Sequence, residues 1–146
     1  INTPSMLCVE DALNSLKWIT SVGGLKGLMT RIEANSKATF NWVEASPWVE
    51  FLAQKTSTRS KTSVTLIITD PWLNNQDDNI RYNVGRNLSA LLDSEGAAYD
   101  IANHLAAPPG LRLWNGATVE TSDLEALFPW LDWGWDVLKS MGGENG

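Results

Sequence analysis

Val9, Leu13, Leu16 and Ile19 recur at helical spacing behind Ser5, a residue able to cap a helix, and Gly23-Gly24 offer a left-handed stop. A second helix is predicted to follow at once. Leu25, Leu28, Met29, Ile32, Ser36, Thr39, Phe40 and Val43 share one stripe, Arg31, Glu33 and Lys37 fall largely off it, and Ser46-Pro47 ends it. The period then changes. Trp48 to Ala53 has the character of a short strand, and between Thr62 and Thr69 the residues Val64, Leu66 and Ile68 alternate with Ser63, Thr65 and Ile67 in a β-branched background. Asp70-Pro71 and the polar run 74–78 read as a loop. Ile80, Val84, Leu88, Leu91 and Leu92 then mark a third helix closed by Gly96. Ala98 to Ile101 and Leu111 to Trp114 are two brief strand candidates around Pro108-Pro109-Gly110. The last helix opens on a capping box, Ser122 to Glu125, and carries Leu124, Leu127, Leu131, Trp135 and Leu138, with Pro129 expected to kink or restart it. The order helix, helix, strand, strand, helix, strand, strand, helix predicts an α/β fold of the α+β type, a small, mostly antiparallel sheet with helices gathered on one face.

Composition narrows the function. The 146 residues suit one domain with one core, expected to span 1–146, and 43% hydrophobic with 19% charged residues is ordinary globular usage. Eleven basic against seventeen acidic residues give a net charge of −6, with no basic patch, which argues against nucleic acid and against anionic membrane surfaces as partners. Cys8 has no second cysteine to pair with, and His104 is the only histidine, so neither an internal disulfide nor a Cys/His metal site is expected. Apolar runs such as Leu66-Ile67-Ile68 are too short for a membrane span, and a cytoplasmic location is expected. The chain opens on Ile1 with neither an initiator Met nor a leader pattern.

Candidate chemistry is sparse. Eight tryptophans could form a stacking platform, but Trp18, Trp42, Trp48 and Trp114 lie at or beside predicted apolar faces and read better as packing or interface residues. Asp123 and Glu125 suit the first turn of a helix, and Asp132 and Asp136 read as its solvated face. Arg112 stands out. Between Leu111 and Leu113 on a short inner strand, its side chain points away from the apolar face, and a guanidinium there calls for a carboxylate or phosphate, supplied either by the protein or by a ligand. Asn2-Thr3-Pro4, at a helix start, offers donors that suit a phosphate, or simply an entry turn with proline at the first position. His104 is a loop residue able to act as a base or an anion contact.

Several blocks, in order along the chain, are specific. They are Asn2-Thr3-Pro4-Ser5-Met6-Leu7-Cys8-Val9-Glu10-Asp11, Ser21-Val22-Gly23-Gly24-Leu25, and Thr58-Arg59-Ser60-Lys61-Thr62-Ser63-Val64. Ala107-Pro108-Pro109-Gly110-Leu111-Arg112-Leu113-Trp114-Asn115-Gly116 follows, continuing through Ala117-Thr118-Val119-Glu120 to Asp123-Leu124-Glu125-Ala126-Leu127. Together they resemble the C-terminal part of the bacterial phosphoserine aminotransferases, fold-type I pyridoxal-phosphate enzymes. The resemblance implies a homodimer that moves an amino group between glutamate and 3-phosphohydroxypyruvate to make phosphoserine in serine biosynthesis. It implies that Asn2 and Thr3 reach the cofactor phosphate of the neighbouring subunit and that Arg112 clamps the substrate α-carboxylate. Members of the family carry a His-Arg pair that helps hold the substrate phosphate; in this chain His104 stands in that region, eight residues before Arg112 and with no arginine beside it.

The resemblance also implies what this chain lacks. The Schiff-base lysine, the acidic partner of the pyridine nitrogen and the aromatic that stacks on the ring lie upstream of Asn2 in the family, and none of Lys17, Lys26, Lys37, Lys55, Lys61 or Lys139 matches the lysine's motif. The expectation is a C-terminal small domain without its large cofactor-binding domain, holding no catalytic residue, binding no pyridoxal phosphate stably and inactive alone. Two further readings stand beside it, a self-standing non-catalytic interaction module and a related fold-type I aminotransferase with another substrate. An isolated small domain is also expected to expose apolar surface.

Overall fold

The computed structural model of the protein describes residue 3 and residues 5–143. Helix α1 spans Met6–Ser21 and α2 Gly24–Ala45, joined by Gly23 at φ 96° and Gly24 at φ 65°, a turn that only glycines enter without strain. Ser5 stands at the N-cap of α1 with extended backbone, but its hydroxyl makes no capping bond. Strand β1 is Val49–Phe51, a single 3-10 turn occupies Thr56–Thr58, and β2 is Ser63–Ile68. The stretch read as a loop holds a four-residue helix, α3, Pro71–Asn74. Asp70 caps it through Trp72 N–H at 2.8 Å, and Pro71 has the fixed φ of a first helical position. Helix α4 runs Asp78–Ser94, capped by Asp77; β3 is Gly110–Trp114 and α5 Thr121–Gly143. Helix α5 begins at Thr121, so Ser122 lies inside its first turn instead of capping it, and the helix runs through Pro129 without restarting.

The three strands form one antiparallel sheet in the order β1-β2-β3. Register assigns the two faces. Val49 opposite Ile68, Phe51 opposite Leu66, Val64 opposite Leu113 and Leu66 opposite Leu111 lie on the covered face, under α2, α4 and α5. Glu50 opposite Ile67, Thr65 opposite Arg112 and Ser63 opposite Trp114 lie on the open one. The expected α+β architecture, with helices on one face, is therefore present. The strand expected over Ala98 to Ile101 is not. Leu92 O holds the N–H groups of both Ala97 and Ala98, Asp100 turns the chain at φ 50°, and only Ala102 makes an isolated bridge, to Leu111. Strand β3 is consequently an edge strand, not the inner strand expected.

Leu66, Leu88, Leu92, Leu111, Leu113, Leu131 and Trp135 make the most deeply buried part of the core. The packing reading of the tryptophans holds for Trp48, which stacks on Trp135 with centroids 5.1 Å apart, and for Trp42, which stacks on Phe128 at the same distance. Asp132 is not a solvated-face residue: its carboxylate accepts the Trp48 indole N–H at 2.8 Å and that of Trp42 at 3.3 Å, tying α5 to α2 and to the start of β1. Trp18, Trp114, Trp130 and Trp133 remain exposed.

A polar knot binds helices to sheet. The Asn35 amide, fully buried on α2, donates to the carbonyls of Asn115, Gly116 and Val119 at 3.0–3.2 Å and accepts from the Thr121 hydroxyl at 2.6 Å. One turn on, the Thr39 hydroxyl accepts from the Asn115 amide at 2.9 Å, while Ser36 donates to the Lys61 carbonyl at 2.9 Å. Asn35→Ala would strand buried carbonyls, so a loss of about 3 kcal/mol is expected in urea denaturation; a loss below about 1 kcal/mol would refute this role for the knot.

Helix α1 and the first turns of α2 behave differently. No residue of α1 is buried, and Leu7, Leu16 and Leu25 are 71%, 58% and 74% exposed. In the predicted apolar stripe of α2, Leu25 and Met29 are exposed, Leu28 and Ile32 half-buried, and full burial begins only at Ser36, so the expected exposed apolar surface is present. Surfaces of this kind drive association. Light scattering is expected to show concentration-dependent self-association that Leu7→Glu with Leu16→Glu reduces; an unmodified chain that stays monomeric at high concentration would contradict it.

Candidate functional site

Because β3 lies at the sheet edge and its pleat buries Leu111 and Leu113, Arg112 emerges on the open face with Thr65 beside it on β2. It faces a groove of about 620 Å³ shared with Tyr99, Asp100, Trp114, Asp123 and Leu127. Among the described residues its guanidinium makes one side-chain hydrogen bond, Nη2 donating to Asp100 Oδ2 at 3.3 Å, and the two side chains are 47% and 88% exposed. Trp114 borders the guanidinium's side of the groove, its indole N–H on the Thr118 hydroxyl at 3.3 Å. The question the sequence left open, protein partner or ligand, thus has a two-part answer. A protein carboxylate is present, but it occupies one of the five N–H donors of a guanidinium that is otherwise turned to the groove.

His104 is exposed in the loop before Pro108, with its Nδ1 accepting the Ala106 N–H at 3.2 Å. It borders a recess of about 30 Å³ with Arg86, Tyr82 and Asn103, large enough for about one water. Gly110, on the same strand as Arg112, forms part of that recess, but the recess and the Arg112 groove share no lining residue. The structure therefore does not bring His104 and Arg112 into one cavity. Thr3 is exposed ahead of α1 and lines neither, and Asn2 lies outside the described residues.

Asp100 is the groove residue that sequence reasoning missed. An aspartate following Ala-Ala-Tyr inside an expected strand carries no signal of its own; only the positive φ reveals it. Another missed carboxylate, Asp70, lies elsewhere. Its Oδ2 accepts from Trp135 Nε1 at 3.0 Å and from Lys139 Nζ at 2.9 Å. Burial is the largest single influence on this carboxyl and pushes its pKa up, but the Lys139 ammonium, the Trp72 N–H and the Trp135 indole together outweigh it and hold the group below its ordinary value. Perturbed carboxyls often mark active sites. This one is committed to joining the end of β2 to the last turns of α5.

Over 139 residues the chain is 41% identical to the phosphoserine aminotransferase of Methanosarcina mazei, a match that takes in 95% of this chain and 35% of that protein. The chain is a relative of the phosphoserine aminotransferases. The solved phosphoserine aminotransferase of Bacillus circulans subsp. alkalophilus matches its fold with a TM-score of 0.70 at 18% identity, covering 91% of this chain and 33% of that one. The PLP-bound phosphoserine aminotransferase from Trichomonas vaginalis matches at 0.72 and 18% identity over 90% of this chain and 34% of that one. No family model matches. This phosphoserine aminotransferase relative spans about a third of the length of the curated proteins it matches. Among its described residues no helix is long and apolar enough to cross a membrane.

The Asp70 cluster generates a pH prediction with a defined sign. A carboxyl whose pKa is lower folded than unfolded stabilises the fold above its unfolded value, near pH 4, and that contribution fades as pH falls through the folded value. Asp70→Asn is expected to cost about 1–2 kcal/mol at pH 7 and progressively less below about pH 4. Urea titrations at both pH values check it, and a gap that persists undiminished at pH 2 would count against it.

Proposed function

We propose that residues 1–146 are the C-terminal small domain of a pyridoxal-phosphate-dependent phosphoserine aminotransferase, homodimeric and cytoplasmic, which exchanges an amino group between glutamate and 3-phosphohydroxypyruvate. The observation that carries this reading is the 41% identity maintained over 139 residues with the Methanosarcina mazei enzyme. In it Arg112 is the substrate clamp. A planar guanidinium whose remaining donors face a groove is suited to bidentate recognition of an α-carboxylate, and fixing that carboxylate orients the amino-bearing carbon, a positioning effect that lowers the barrier for any chemistry performed there. Thr3, with Asn2, is assigned to the neighbouring subunit's cofactor phosphate; His104, which fronts a separate hollow from Arg112, is assigned no part in holding the same substrate.

The Arg112 groove suits a carboxylate, and its described lining offers the cofactor no point of attachment. Pyridoxal phosphate supplies an electron sink when bound, but among the described residues no lysine lines the Arg112 groove, and Lys139, partly withdrawn from solvent, is paired with Asp70. Attachment of the cofactor is therefore assigned to the large domain of a full-length enzyme, and this chain's part is to recognise and orient the substrate.

Replacing the matching third of the Methanosarcina mazei enzyme by this chain tests the reading. The chimera is expected to transaminate between glutamate and 3-phosphohydroxypyruvate, and Arg112→Leu in it to raise KM for both by about tenfold or more. A folded chimera that binds pyridoxal phosphate without turnover would refute the assignment; an unchanged KM would refute the clamp.

A further inference from the structure

We infer that Asp100 is a resident counter-ion for Arg112, occupying part of the guanidinium until an incoming carboxylate displaces it, and thereby setting how strongly a ligand must bind to be held in the groove. This rests on the reading of Arg112 as a carboxylate clamp.

Three observations carry it. Among the described residues Arg112 is the only cation lining the groove, and Asp100 is the carboxylate that touches it. The contact is a single, long one, 3.3 Å to one Nη, where a committed arginine–carboxylate pair is shorter and commonly bidentate. Asp100 is also held in place by anchors on both sides. The Ala97 and Ala98 N–H groups bond to Leu92 O, and Ile101, buried, gives its carbonyl to the Arg112 N–H at 2.8 Å. The backbone of Arg112 thus fixes the segment whose carboxylate its own side chain meets.

The backbone of Asp100 adds a further observation. Among the described residues it is the one non-glycine with positive φ, 50°, a conformation that aspartate and asparagine tolerate better than other side chains. That turn ends the approach to β3 and brings the carboxylate toward the guanidinium. A pair this exposed is weakly bound, so a ligand carboxylate engaging two donors at once can replace it, while a neutral ligand or a single acceptor gains little from doing so. Removing the aspartate's charge takes away both the competitor and a like charge facing the ligand. The two effects have the same sign.

The test follows the Arg112 side-chain Nε–Hε signal by NMR as L-glutamate is added to the 146-residue chain at constant ionic strength. Asp100→Asn, which keeps the positive-φ tolerance, is expected to tighten glutamate binding about two- to fivefold. Arg112→Leu, followed through the Trp114 indole, is expected to lose binding. A merely structural Asp100 would lower the melting temperature without tightening binding. Equal or weaker binding by Asp100→Asn overturns the counter-ion role and leaves the clamp standing. An Arg112 signal indifferent to glutamate in both the unmodified chain and Asp100→Asn overturns the clamp, and this inference with it.

Discussion

The hydrogen bonds that one face of α2 makes to the sheet decide where β2 begins and where β3 ends. Asn35, Ser36 and Thr39 hold the carbonyls of Lys61, Asn115, Gly116 and Val119 and the amide of Asn115, fixing the entry to β2 and the exit of β3 on one helix. An edge strand with one complete ladder is otherwise prone to slip, and a slip of one residue exchanges its two faces. In β3 that exchange would bury Arg112 and expose Leu111 and Leu113. The knot is far from the groove in character, uncharged and buried, yet the outward direction of Arg112 depends on it. Gly110 tightens the same constraint from the other end of β3, since a Cβ there would lie 2.0 Å from the Leu66 carbonyl.

What was legible in the sequence followed periodicity. The alternation in 63–68, the stripe of α2 and the Gly23-Gly24 stop all state local preferences that the tertiary structure keeps. The errors lie where a few tertiary or capping bonds compete with propensity. Ala98 to Ile101 has enough apolar character for a strand, but the Leu92 carbonyl captures its first N–H group, together with that of Ala97, before any ladder can form. At 70–74 the signal was present as an aspartate before a proline, a capping pair at the head of a helix too short to show a period.

Side-chain roles were legible only in part. The pleat alone gave the direction of Arg112, because its neighbours are leucines on both sides. The partners of Asp132 and Asp70 were not readable, since each bonds to indoles 65 to 90 residues away, and no local pattern distinguishes a carboxylate that meets an indole from one that meets water. The same long-range logic separates His104 from Arg112. Eight residues apart in the chain, they are parted by a turn and a strand and front different hollows.

The exposed position of α1 has a thermodynamic consequence. A sixteen-residue helix that contributes no buried side chain gains little from the core's cooperativity, so its free energy of opening is decoupled from that of the domain. Its amides would exchange through local opening while those of β2 await global unfolding. An all-or-none description would then hold for the sheet and its three covering helices but not for the whole chain. Far-ultraviolet dichroism, which counts α1, and the near-ultraviolet signal of the stacked Trp48 and Trp135, which does not, would report two different transitions in one polypeptide.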